Sequence, residues 1–201
     1  MLSVRDLCLE RHFEPVFEPL SFEVAAGELL VVTGPNGCGK TTLIRLLAGL
    51  IKPTSGTVSN GFGTLQYVGH ESAVKAELSV RENLQFAARL AGGDDVDTAI
   101  AAMDLRPCAG QSGRTLSAGQ RKRTALARLV AAKAALWLLD EPYTNLDAAG
   151  IEGMDALLDR HLGAGGTCVM ATHGAHRPAR AASAAAWQSR EIALDARPLA
   201  A

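Results

Sequence analysis

Nine residues, Gly34-Pro35-Asn36-Gly37-Cys38-Gly39-Lys40-Thr41-Thr42, carry the strongest chemistry in this chain. A glycine, four residues, then Gly-Lys-Ser/Thr is the spacing of a phosphate cradle. Glycines let the backbone curl close to an anion with no Cβ in the way. Their N–H groups, and the positive end of a helix that follows, then face the phosphates. Lys40 is expected to reach the β- and γ-phosphates of a nucleotide, and the Thr41 hydroxyl to ligate Mg²⁺. The competing reading is a glycine-rich turn that binds nothing. The flanks argue against it. Leu29-Leu30-Val31-Val32-Thr33 is a continuous apolar run, as in a parallel strand buried on both faces. Leu43, Ile44, Leu46 and Leu47 then recur at helical spacing until Gly49 offers a stop.

A phosphate cradle alone leaves kinases, GTPases and transporters open, and four further segments narrow the choice. Leu136-Trp137-Leu138-Leu139-Asp140-Glu141 ends an apolar strand in two carboxylates. Asp140 sits where it can hold Mg²⁺. Glu141 is placed to polarise an attacking water, a general-base role worth roughly 10²–10⁴-fold in rate. An acidic pair at the end of a strand can also be a plain solvated edge. Leu116-Ser117-Ala118-Gly119-Gln120 opens a helix with a hydroxyl, a small residue and a glycine, a second helix end able to meet phosphate or simply a serine cap. Thr144-Asn145-Leu146-Asp147 follows the acidic pair at loop distance, and Ala171-Thr172-His173-Gly174 leaves a lone histidine at a strand end.

The elements that must position these residues alternate. Val4, Leu7 and Leu9, then Leu20, Phe22 and Val24, mark two short strands that alternate between faces. Lys52 to Thr57 is expected to be a turn-rich connector and Leu65 to Val68 a strand. Ser79 with Glu82 forms a capping-box pattern ahead of a helix carrying Val80, Leu84, Phe86, Ala87 and Leu90. Helices follow over Val96–Leu105, from near Ser117 to about Lys133, over Ile151–Leu162 and, weakly, over His176–Ala182. A strand is expected at Thr167–Ala171. Strands alternating with helices imply an α/β fold with a mostly parallel sheet between helices. About residues 72 to 132 show no strand pattern and are expected to form a helical subdomain, within one domain spanning 1–201.

Composition agrees. The chain has 201 residues, 48% of them hydrophobic and 20% charged, as in an ordinary globular domain. Twenty basic against 21 acidic residues leave a net charge of -1, which gives no electrostatic argument for nucleic acid as a partner. Cys8, Cys38, Cys108 and Cys168 are scattered, without metal or redox spacing. No apolar run approaches the roughly 20 residues that span a bilayer, and the first residues lack a secretion signal. A cytosolic protein is expected, with any membrane role exercised through a partner.

In this order the segments resemble the nucleotide-binding subunit of an ATP-binding cassette (ABC) transporter, from Leu2 to at least His173. The resemblance implies a P-loop ABC fold with an N-terminal antiparallel β subdomain and a small helical subdomain. It makes Gly34 to Thr42 the Walker A loop, Leu136 to Glu141 the Walker B strand, Leu116 to Gln120 the signature motif, Asp147 the close of the D-loop and His173 the switch histidine. It further implies ATP and Mg²⁺ as ligands and a homodimer formed on ATP binding. In that dimer Ser117, Ala118, Gly119 and Gln120 of one copy meet the ATP held by the other.

Two positions depart from the family. His70 stands where the sensing loop usually carries glutamine, with Glu71 beside it, and Ala118 replaces the first glycine of the signature. The adenine-stacking aromatic is open among His12, Phe13 and Phe17, the last equally suited to the core. Cys38 is read as a tolerated small residue. The loop Tyr67-Val68-Gly69-His70-Glu71, with Lys75-Ala76-Glu77-Leu78 and Leu136 to Tyr143, is similar to the haem exporter subfamily of cytochrome c maturation, CcmA. That likeness implies a membrane-spanning CcmB-like subunit, other cytochrome c maturation proteins as partners, and a place on the cytoplasmic face of the bacterial inner membrane. The same machine serving another substrate, or a soluble ABC ATPase that moves nothing, are the competing functions.

Overall fold

Apolar runs that cannot face water on either side dictate the centre of the molecule. The computed structural model describes residues 1–173, 176, 178 and 187–195. Ten strands and five α-helices are seen among them. In chain order they are β1 (Leu2–Cys8), β2 (Glu10–Arg11), β3 (Glu14–Pro15), β4 (Leu20–Val24), β5 (Glu28–Thr33), α1 (Lys40–Leu47), β6 (Ser55–Asn60) and β7 (Leu65–Val68). There follow α2 (Val80–Leu90), α3 (Val96–Ala102), α4 (Ala118–Ala132), β8 (Leu136–Asp140), α5 (Ala148–Gly163), β9 (Thr167–Ala171) and β10 (Gln188–Ala193). Five strands form a parallel sheet in the order β10-β5-β9-β8-β7.

Both faces of this sheet are covered, and successive residues feed opposite cores. Leu29 and Val31, Trp137 and Leu139, and Cys168 and Met170 pack with α2 to α5 on one face. Leu30 and Val32, Leu136 and Leu138, and Val169 and Ala171 pack on the other, with α1 and the N-terminal strands. A period of two with apolar residues in both phases is why β5, β8 and β9 read as unbroken runs. The N-terminal strands form a separate antiparallel sheet, β4-β1-β6. A parallel sheet between helices with an antiparallel β unit at the start is the fold class that the sequence predicts.

The helices of the middle region follow their caps. Ser79 accepts from the Glu82 backbone while the Glu82 carboxylate accepts from the Ser79 N–H, so the capping box ahead of α2 is present. Ser117 and Gln120 form a second one ahead of α4. Lys133, in the left-handed conformation, closes α4.

Three expectations need correction or completion. The connector expected over Lys52–Thr57 is only partly a connector, because Ser55 to Asn60 pair antiparallel with β1 as β6. β10 was not expected, and it pairs parallel with β5 over Gln188–Ala193. Helix α5 starts at Ala148, before Ile151, because Asp147 caps it through Gly150 N at 2.9 Å. The helix expected over His176–Ala182 falls for the most part outside the described residues.

Candidate functional site

The carboxyl ends of β5, β7, β8 and β9 point the same way, and every strand-borne candidate lies at or just beyond one of them. In open parallel sheets this edge is where ligands bind. A cleft of about 440 Å³ lies there, lined by Asn36, Gly37, Gly39, Lys40, Thr41, Thr42, His70, Glu141 and His173 together with Arg11 and Val16.

The floor is the glycine loop. Gly34, Gly37 and Gly39 have φ of 139°, 85° and 102°, values that side chains rarely tolerate. Gly39 is the N-cap of α1 and has no side-chain cap, so the first N–H groups of that helix are unclaimed by any side chain at Gly39. Lys40 donates to the carbonyls of Gly34 and Pro35 at 2.7 and 3.0 Å. Its ammonium has three protons, so it bends over the loop with one still to give. Cys38 is buried beneath the loop.

Gly34 is the most constrained of these glycines. A Cβ there would run into the Leu194 carbonyl and come within 2.7 Å of Cys38 Sγ. Gly34→Ala is therefore expected to cost about 1–3 kcal/mol of stability from backbone strain alone, measurable as a lowered denaturant midpoint, and to weaken ATP binding because the loop must shift.

The carboxylates stand opposite. Asp140 is 1% exposed, and its Oδ1 accepts from the Thr41 hydroxyl at 3.1 Å. Its Oδ2 is buried with no hydrogen-bond partner. A hydroxyl beside a carboxylate with a spare oxygen is a donor set that suits a hard divalent cation, so these residues fit Mg²⁺. Glu141 takes φ 51°, strained for a non-glycine residue, and its N–H donates to the Ala171 carbonyl at 2.9 Å. Its Oε1 lies 2.7 Å from Nδ1 of His173. The carboxylate is largely buried and the imidazole half-exposed, so the pair bridges interior and solvent.

One charged neighbour was not foreseen. Lys122 on α4 is among the largest fully buried side chains, and its ammonium has no hydrogen-bond partner. Burial pulls its pKa down to about 8, against the opposing pull of Asp140 and then Glu141. In the sequence it is one basic residue among three, Arg121 to Arg123, and nothing marks it as internal.

Ser117, Ala118, Gly119 and Gln120 do not line the cleft. Ser117 and Ala118 are exposed at the tip of α4. A Cβ on Gly119 would sit 3.1 Å from the Asn145 carbonyl, so this tip lies against the segment before α5. Asp147 is also outside the cleft; besides capping α5 it pairs with Arg123 at 2.7 Å. Of the aromatic candidates, Phe17 is core at 3% exposure, and Phe13 is almost fully exposed. Arg11 and Val16 are the residues of that region that line the cleft.

The profile of the ABC transporter family matches residues 17–144. A protein of Roseobacter denitrificans named cytochrome c biogenesis ATP-binding export protein CcmA is 43% identical over 172 residues, 86% of this chain and 84% of that one. Its namesake in Rhodobacter capsulatus is 46% identical over 173 residues, 86% and 81% of the two chains. The chain belongs to the ABC transporter family, on its CcmA branch. As an ABC ATPase it binds and hydrolyses ATP. The fold is shared with a solved ATP-binding cassette described as dimeric, post-hydrolysis and bound to ADP and Pi. That chain is 20% identical, with a TM-score of 0.75, and the alignment covers 87% of this chain and 88% of that one.

Proposed function

We propose that this ABC ATPase is the energy-coupling subunit of a complex that exports or delivers haem in c-type cytochrome biogenesis. The observation that carries the ATPase half is the junction of three motifs in one cleft. Glycine loop, buried Asp140 and the Glu141–His173 pair converge from three strand ends. The names of the relatives support the cytochrome c half.

In this mechanism residues Gly34 to Thr42 bind the triphosphate through backbone N–H groups and the Lys40 ammonium. Thr41 and Asp140 would hold Mg²⁺, which would supply positive charge against the phosphates. Glu141 takes the proton of the attacking water. His173, hydrogen-bonded to it, keeps the carboxylate turned toward the cleft. His70, at the mouth of the same cleft, occupies the sensing-loop position. One ABC domain spans 1–201, with a helical subdomain over about 72–132.

Ser117 and Ala118 are exposed and none of Ser117 to Gln120 lines the cleft of its own chain, which supports a head-to-tail homodimer formed around ATP. Each signature helix then meets the phosphates held by the other copy, and Asp147 closes the D-loop beside it. Product release removes the shared ligand and lets the pair open.

The membrane partner is a CcmB-like subunit, acting with other cytochrome c maturation proteins on the cytoplasmic face of the inner membrane. No described helix is long and apolar enough to cross a membrane. A groove of about 300 Å³ runs between α2 and the sheet, lined by Leu65, Ala73, Lys75, Asn83, Phe86 and Leu90 among others. Phe86 and Leu90 are 46% and 75% exposed, unusual for large apolar side chains. The loop after β7 touches the cleft at His70 and the groove at Ala73 and Lys75. A partner seated there can therefore feel what the cleft holds.

A deletion strain should lack covalent haem on its c-type cytochromes, and the unmutated gene should restore it. A Phe86→Asp/Leu90→Asp gene should fail to restore it, although the purified variant still hydrolyses ATP. Normal haem attachment in the deletion strain would overturn the assignment.

A further inference from the structure

Glu141 and His173 leave the ends of different strands, yet the residues that follow them meet on a single carboxylate. Tyr143, two positions beyond Glu141, donates its hydroxyl to Asp155 Oδ1 at 2.6 Å. His176, three positions beyond His173, places Nε2 at 3.1 and 3.2 Å from the two Asp155 oxygens. The tyrosine and histidine rings lean on each other, centroids 4.3 Å apart at 57°. Asp155 sits near the middle of α5, a helix of 16 residues that lends the cleft no lining residue. Its side chain is 15% exposed.

The arrangement has the mechanics of an anchor. Asp155 stands on a rigid element, whereas Glu141 and His173 both lie where strand geometry has already ended. The 2.7 Å contact between them therefore depends on where two short connections are held. Bonds to a partly buried carboxylate are among the stronger hydrogen bonds in proteins. Burial, and next the bond to Asp155, push the Tyr143 hydroxyl above its ordinary pKa, so it stays a donor at physiological pH. A displacement of about 1 Å in a catalytic group can cost 10²-fold in rate.

We propose that Asp155 is a positioning residue for ATP hydrolysis, a common anchor that sets the Glu141–His173 contact through Tyr143 and His176. The proposal rests on reading Glu141 and His173 as the hydrolytic pair.

The test uses the full chain with Asp155→Ala, and with Glu141→Gln and His173→Ala as controls. Asp155→Ala should lower kcat by about tenfold or more, while ATP affinity, set by the glycine loop, stays within about twofold. Nitrogen NMR of labelled histidine should show the His173 Nδ1 resonance losing its hydrogen-bonded shift, a change that a merely structural role would not produce. Asp155→Asn, which keeps an acceptor for Tyr143, should fall between. If Asp155→Ala does not fold, Tyr143→Phe and His176→Ala each remove one arm and carry the same readouts. A folded Asp155→Ala with unmutated kcat, or with reduced kcat and an unshifted His173 resonance, overturns the anchor. If both controls keep full turnover, the pair itself is not catalytic and the anchor falls with it. If the controls are dead and Asp155→Ala is active, only the anchor fails.

Discussion

Glu141→Gln is expected to bind ATP as tightly as the unmutated chain and to hydrolyse it about 10²–10⁴-fold more slowly, the usual worth of a positioned general base. The amide has the shape of the carboxylate and can keep a hydrogen bond with His173, now 2.7 Å away. It cannot take a proton from water. Nothing in the glycine loop changes, because Lys40 is held by the Gly34 and Pro35 carbonyls and not by Glu141. Binding and chemistry should therefore separate, and the uncleaved nucleotide should hold two copies together. Single-turnover hydrolysis and size-exclusion chromatography with Mg²⁺-ATP read both effects. A turnover near the unmutated value would remove Glu141 from the mechanism.

The second large effect tests the head-to-tail arrangement and needs two crippled chains. Lys40→Ala removes the ammonium above the phosphate loop, and Ser117→Arg puts a bulky cation on the exposed tip of α4. Each alone should be nearly inactive. Mixed in equal amounts, half of the dimers should be mixed, and each of those has one cleft built only from intact parts. Two-fold symmetry makes the two clefts equivalent, so activity should return to about a quarter of the unmutated level if they work independently. With independent clefts, and mixed dimers shown to form by cross-linking, mixing that restores nothing would show that both lesions act on one and the same cleft, and the shared-nucleotide arrangement would be wrong.

How far residue order reveals this molecule depends on whether a feature is local. β5, β8 and β9 are legible because both of their faces are apolar, and the glycine loop because its conformation is written in three glycines. β6 and β10 are not. In β10 five of six residues are exposed, and in β6 only Val58 and Asn60 are even half-buried, so no side-chain pattern announces a strand. Their extended state comes from backbone pairing with β1 and β5, contacts made across the chain.

The site divides the same way. Each motif is visible as a short string, whereas the bond from Thr41 to Asp140 joins residues 99 apart. In the sequence Asp155 is one acid among the residues of a helix, and Lys122 one base in a run of three. Only the packing of α4 and α5 reveals them. Phe17 could be weighed as adenine stacker or core from its sequence region alone, and its 3% exposure places it in the core.

The cap on α4 gives that helix tip a fixed hydrogen-bonding sign. Ser117 Oγ already accepts from Gln120 N at 3.1 Å, and the Ser117 N–H is already spent on the Gln120 side chain at 2.9 Å. What the tip can still offer outward is the hydroxyl proton and the amide hydrogens of Ala118 and Gly119, all of them donors. Such a surface favours an oxyanion over an ammonium, since the two oxygens at the tip already each accept one bond. Threonine could keep that one-way character at position 117, whereas asparagine would cap the helix from a longer side chain and bring an amide group of both signs to the face.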